Sequence, residues 1–171
     1  PSPYGLAAME SFISQFLQNT PQKGIIQTHA LEPFEIYALD MRRTFCEKIS
    51  AIAKASYLGQ RELENKIRHF YDIYFLMQES VIIDFLATDT FSPLFELVRE
   101  DDRKNENEHH GWANEPLYQA PIYNETSQLL ENLEAYYYKE FSSLVHGALP
   151  EFQVIMKTIE SIACTLKEKT L

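Results

Sequence analysis

Apolar residues recur along this chain at helical spacing from about residue 44 onward; only the beginning breaks that rhythm. Phe45, Ile49, Ile52, Ala53 and Ser56 fall on one helix face at the spacing of three and four that a 3.6-residue period requires. Thr44-Phe45-Cys46-Glu47 has capping-box spacing and predicts that helix's start, and Gly59 predicts its stop. A second helix is predicted over about Glu62–Gln78, amphipathic through Leu63, Ile67, Phe70, Tyr71 and Tyr74. Its second half is apolar almost all round and is therefore expected to be central. SVIIDFLA and SPLFELVRED predict two further helices. Thr126–Val145 and Glu151–Lys167 predict an αα-hairpin joined by HGALP.

The first residues read differently. After the Pro-rich PSPYG, a helix is expected over Leu6–Leu17, then the polar breaker QNTPQKG, then strands around Ile25–Thr28 and Phe34–Met41. Residues 101–124 are polar and Pro-containing and are expected to form an exposed loop. The predicted class is thus mainly α with a small β element near the N-terminus (α+β). It divides into a partial α/β element over 1–41, a helical region over 42–100, the loop over 101–124 and a helical hairpin over 125–171.

Composition narrows this picture little. A chain of 171 residues, 45% apolar, makes one ordinary domain or one with an appendage. Apolar runs such as Val81–Ile83 are far too short to span a bilayer, and the N-terminus lacks a signal peptide's basic start and long apolar stretch. Cys46 and Cys164, both in helical patterns, point to reduced thiols and a cytoplasmic protein rather than to a disulfide. No initiator Met is present, and the chain is expected to be a piece of something longer.

Charge changes the picture more. A net charge of −10 argues against the whole surface gripping nucleic acid. Yet residues 42–68 hold seven cations against three carboxylates, +4, which leaves −14 for the remainder. Such a basic island is either an anion site or a solvated helix face.

Within it lies the most informative stretch, RHFYDIYFL at 68–76, where Asp72 stands among aromatic and aliphatic side chains. An ionised carboxylate is costly in such company without a cation. Arg68 lies four residues before Asp72 and shares its helix face. Lys48 sits at the edge of the earlier helix's apolar stripe. Two consecutive helices joined by a short Gly-containing turn pack antiparallel, which would let Lys48 approach Asp72 across the seam. Either Arg68 and Asp72 form a structural pair that closes the seam, or Lys48 and Asp72 belong to a site. Glu47 reads as a cap rather than a catalytic acid.

PFEIYALDMRRTFCEKISAI (33–52) and RHFYDIYFL (68–76) together resemble the AbiEii-type nucleotidyltransferases, toxins of type IV toxin–antitoxin and abortive-infection systems. Arg43, Thr44, Glu47 and Lys48 match the family's R-T-x-x-E-K helix start. Arg68, Tyr71, Asp72 and Tyr74 match its R-[DH]-x-Y-D-[LI]-Y helix. The resemblance implies transfer of a nucleotide from an NTP to an RNA (tRNA) or protein acceptor, with Mg²⁺, and a cognate antitoxin as partner. It implies catalytic roles for Lys48, on the phosphates, and for Asp72, and substrate binding by Arg43 and Arg68. The family's upstream Gly-Ser or Gly-Gly turn and Asp-x-Asp pair, which hold triphosphate and metal, are absent from this sequence, and His69 replaces an acid found in many members. The expectation is the helical C-terminal portion of such an enzyme, with no metal or NTP site of its own and inactive alone.

Other signals carry less. Glu108-His109-His110-Gly111 has no further ligands at useful spacing and reads as a solvated loop. Arg103 and His109 have the spacing of the pair in HEPN-type helical ribonucleases, a minor alternative. A non-catalytic helical interaction module is the main one. The tyrosines of EAYYYKEF could stack on bases but read rather as helix packing.

Overall fold

The structure is a computed structural model that describes residues 4–105, 111–124 and 127–171. The chain forms two compact units, residues 1–40 and 41–171.

In the first unit, strand β1 (Tyr4–Met9) pairs antiparallel with β2 (Phe34–Leu39), with Tyr4 opposite Leu39 and Met9 opposite Phe34. Helices α1 (Phe12–Gln18) and α2 (Gly24–Thr28) lie in the connection between them. The expected helix over Leu6–Leu17 is therefore half strand. Ser11 decides the boundary: its side chain accepts from the Ser14 amide at 3.0 Å, so the helix starts there. The residues before it meet their backbone needs in a ladder with a segment far along the chain. Conversely, Ile25–Thr28, expected as a strand, is helical. Its amides are satisfied locally, His29 N–H donating to Ile25 and Leu31 N–H to Ile26. Strand propensity has no force without a neighbouring strand, and β2 takes β1.

The second unit is helical. Its centre is α3 (Met41–Leu58), which buries Phe45, Cys46, Ile49, Ile52, Ala53 and Ala55. Around it pack α4 (Gln60–Asn65), α5 (Ile67–Leu76), α6 (Ser80–Ala87), α7 (Phe91–Asn105) and α8 (Pro121–Asn124). The centre is thus α3 rather than the later helix expected there. On α5, Ile67, Phe70 and Ile73 are buried while Phe75 is 41% exposed. The predicted capping box does not form, because α3 begins three residues before Thr44, at Met41.

Gly59 joins α3 to α4 at φ +104°, a conformation that L side chains avoid. Its amide donates to Ala55, closing α3, and its carbonyl accepts from Glu62 and Leu63, opening α4. The helix predicted over Glu62–Gln78 is broken at Lys66, whose amide bonds three residues back to Leu63. No Gly or Pro marks this step. It serves packing, since α4 lies against α9 (Ser127–Lys139) and α5 against α10 (Phe152–Glu168).

Residues 101–124 are not the single exposed loop expected. Helix α7 runs on to Asn105, and Trp112–Asn114 and Leu117–Gln119 form 3₁₀ turns before α8. Trp112, Leu117, Ala120 and Ile122 enter the core. The last two helices follow the prediction, except that α9 ends at Lys139 and Phe141–Leu144 tightens into a 3₁₀ turn. Tyr137 is fully buried and donates to the Pro150 carbonyl at 2.7 Å. The Tyr138 hydroxyl accepts from the Phe152 amide at 3.0 Å at the start of α10. These tyrosines build the hairpin. Cys46 is buried, Cys164 is exposed, and neither forms a disulfide. Among the described residues, no helix is long and apolar enough to cross a membrane.

Candidate functional site

Helix α3 carries two distinct stripes besides its core face. Met41, Thr44 and Lys48 form one, at spacings of three and four. Arg43 and Glu47 form the other, on the far side, since five residues on a helix turn through about 140°. This separation decides what each cation can do.

On the first stripe, Lys48 Nζ reaches Asp72 Oδ2 of α5 at 2.7 Å, with the two side chains 19% and 30% exposed. Lys48 Nζ also lies 3.5 Å from His69 Nδ1. One ammonium thus meets two groups a helical turn apart on α5. The structural pair considered between Arg68 and Asp72 is not among the ion pairs of the described residues. Lys48 holds Asp72 instead, reaching it from α3 across the contact between α3 and α5. Burial, then the neighbouring Lys48 and Lys66 charges, press the His69 pKa down to about 4, against the opposing pull of Asp72. The imidazole is therefore neutral near pH 7.

Lys48 and Asp72 line an open cavity of about 400 Å³ with Met41, Thr44, Tyr71 and Phe75; Leu76 and Glu79 complete it. One wall is charged and the other aromatic and aliphatic. A second cavity of about 360 Å³ adjoins it. Tyr71 and Asp72 line both, while Arg68, Phe141, Leu144 and His146 line only the second. Tyr71 is held by edge packing against Phe141, with ring centroids 5.5 Å apart.

Arg43 lines neither cavity. Its Nε donates to Glu47 at 2.8 Å and a terminal nitrogen donates to Asp101 of α7 at 2.7 Å, with the side chain 16% exposed. These two bonds, Glu47 first, raise its pKa further. Arg43 therefore clamps α3 to α7, and Glu47 serves Arg43 rather than a helix cap. The structure brings Lys48, Asp72 and Arg68 to one surface and leaves Arg43 elsewhere. Sequence reading passed over the walls of the first cavity: Met41, Phe75, Leu76 and Glu79. Their signal was present, as 41/44/48 and 72/75/76/79 repeat at helical spacing, but it looks the same as core packing.

A third cavity of about 270 Å³ lies on the other side of α3, where Lys54 Nζ stands over the buried Trp112 ring at 5.6 Å. The tempting histidines at 109 and 110, and with them the Arg103–His109 pairing, lie outside the described residues. Arg103 itself pairs with Glu96 at 2.7 Å. Among the described residues no three His, Cys, Asp or Glu side chains are clustered to hold a metal ion. Asp72 alone, already engaged by Lys48, does not make an Mg²⁺ site, which takes several oxygen ligands in near-octahedral array. No metal-dependent step is assigned to these residues.

No curated protein and no solved structure matches the chain. A family model described as the nucleotidyl transferase AbiEii toxin of type IV toxin–antitoxin systems matches residues 8–158. That span takes in both the α3 and α5 motifs, and on it the chain belongs to the AbiEii nucleotidyl transferase toxin family.

Proposed function

We propose that the surface formed by α3 and α5 is the cationic side of a nucleotidyl-transfer site. An acceptor hydroxyl attacks the α-phosphorus of an NTP, the bond to the bridging oxygen breaks, and pyrophosphate leaves. Charge gathers on the phosphate oxygens, so cations placed beforehand lower the barrier. Lys48 supplies such a charge at the wall of the first cavity, and Asp72 keeps it oriented. Tyr71 and Phe75 offer aromatic edges and faces to the base. Arg68, beyond the Tyr71–Asp72 partition, faces the neighbouring cavity and would take phosphates of an RNA acceptor, a tRNA by family analogy. Mg²⁺ would neutralise the triphosphate, held by carboxylates other than those described here. As a toxin-family protein, the chain would also meet a cognate antitoxin.

The observation that carries this reading is the half-open Lys48–Asp72 pair at 2.7 Å beside a cavity of ligand size. Because Lys48 is partly open to solvent, an N–H not engaged by Asp72 is free to meet a triphosphate oxygen while the pair holds the ammonium in place. Titration calorimetry of the chain with each of the four NTPs tests it. Lys48→Ala should weaken binding about tenfold or more, equivalent to roughly 1.4 kcal/mol, whereas Lys157→Ala on the exposed side of α10 should not. The reading requires the wild-type chain to bind NTP, against the expectation of no NTP site in this portion alone; no binding by the wild type, or equal affinity in wild type and Lys48→Ala, would falsify it.

A further inference from the structure

His69 has no assigned part in the site, yet its ring is placed where it can act only through Lys48. Its Nδ1 lies 3.5 Å from Lys48 Nζ, and Asp72 Oδ2 lies 2.7 Å from the same nitrogen. A lysine ammonium has three donors and no acceptor. The facing Nδ1 must therefore present its lone pair, and the ring proton sits on Nε2. The charged groups around the ring are Lys48 from α3, Lys66 at the α4–α5 step, and Arg68 and Asp72 on α5. Burial first, and then the three cations, keep the ring neutral. A neutral acceptor orients the ammonium without cancelling its charge.

We propose that His69 is a positioning residue whose Nδ1, with Asp72, fixes the Lys48 ammonium at the cavity wall and thereby sets the affinity for a triphosphate. Two acceptors one turn apart on a rigid helix restrict a side chain that otherwise has four freely rotating bonds. The third N–H is then left for the ligand. The inference rests on the reading of Lys48 given above and extends it to a residue that does not itself touch the ligand.

The test is a double-mutant cycle on NTP affinity, measured by titration calorimetry with the intact chain. His69→Leu should weaken binding about tenfold in the wild-type background, as loss of a hydrogen bond to a charged group does, and have no effect in the Lys48→Ala background. His69→Asn, whose Oδ1 takes the place of Nδ1, should restore most of the loss. A merely structural role would give the same loss in both backgrounds, and that result overturns the proposal. So does an unchanged affinity of His69→Leu while Lys48→Ala weakens binding, which leaves the function of Lys48 standing. Unchanged affinity in Lys48→Ala removes both. Should His69→Leu not fold, the ¹⁵N shifts of the wild-type ring decide: an unprotonated Nδ1 that moves in Lys48→Ala supports the proposal, and a protonated Nδ1 sinks it.

Discussion

At the scale of single residues, the site is a matter of which cation reaches which carboxylate. Asp72 could have paired within its own helix; instead the distance of 2.7 Å to Lys48 makes it an interhelical tie. Asp72→Asn should therefore lower stability by about 1–2 kcal/mol, below the 3–5 kcal/mol of a fully buried pair, because both partners are partly exposed. Urea denaturation at pH 7 measures it, and the loss should shrink in Lys48→Met, where the tie is already gone. His69 adds a dependence on pH. Its folded pKa, about 4, lies below the ordinary value of 6.5, so the unfolded chain binds more protons between those values. Stability from this residue is fully present above about pH 6.5, falls as pH drops toward 4, and changes no further below. For a partly buried ring the change is on the order of 1–2 kcal/mol. Comparing urea midpoints at pH 7 and pH 5 for wild type and His69→Asn isolates it; equal slopes in both proteins would contradict the assignment.

At the scale of elements, Gly59 is an exacting position, with φ +104° between two helices. A Cβ there meets no atom within 4 Å, so any cost of Gly59→Ala comes from the backbone angle alone. The expected destabilisation is about 1–3 kcal/mol, read as a drop in thermal midpoint without change in helix content. The helices with a strong apolar stripe, α3 and α10, were legible from spacing alone. Boundaries set by distant partners were not. Tyr4–Met9 carries no local mark of a strand, and its partner lies some thirty residues later. The step at Lys66 has no helix-breaking residue and exists because α4 and α5 serve different neighbours. The partners of Arg43 were illegible for a similar reason. Its place in a motif suggested substrate contact, but nothing near it in sequence announces Asp101, which sits on α7 and completes the clamp. Arg43→Met should then lower stability by about 1–2 kcal/mol while leaving NTP affinity within twofold of wild type; a tenfold loss would return Arg43 to the binding surface.

At the scale of the whole molecule, the division at residue 40 coincides with the start of α3. A polypeptide of residues 41–171 should fold cooperatively with a thermal midpoint within a few degrees of the full chain, as scanning calorimetry would show. Such a polypeptide retains Lys48, His69, Arg68 and Asp72, and its NTP affinity would then report on the helical unit alone. Part of the candidate site was legible in the sequence: the approach of Lys48 to Asp72 was expected from packing of the two motif-bearing helices, whereas the second cavity depends on Phe141, Leu144 and His146, which arrive from beyond the end of α9.

The two spaces that share Tyr71 and Asp72 have a party wall. Enlarging a residue in that wall narrows one room or the other, and trimming it merges them, so neither can be resized on its own from the middle. Selectivity can be altered separately only from the outer walls: Met41 or Phe75 for the room beside Lys48, Leu144 or His146 for the room beside Arg68.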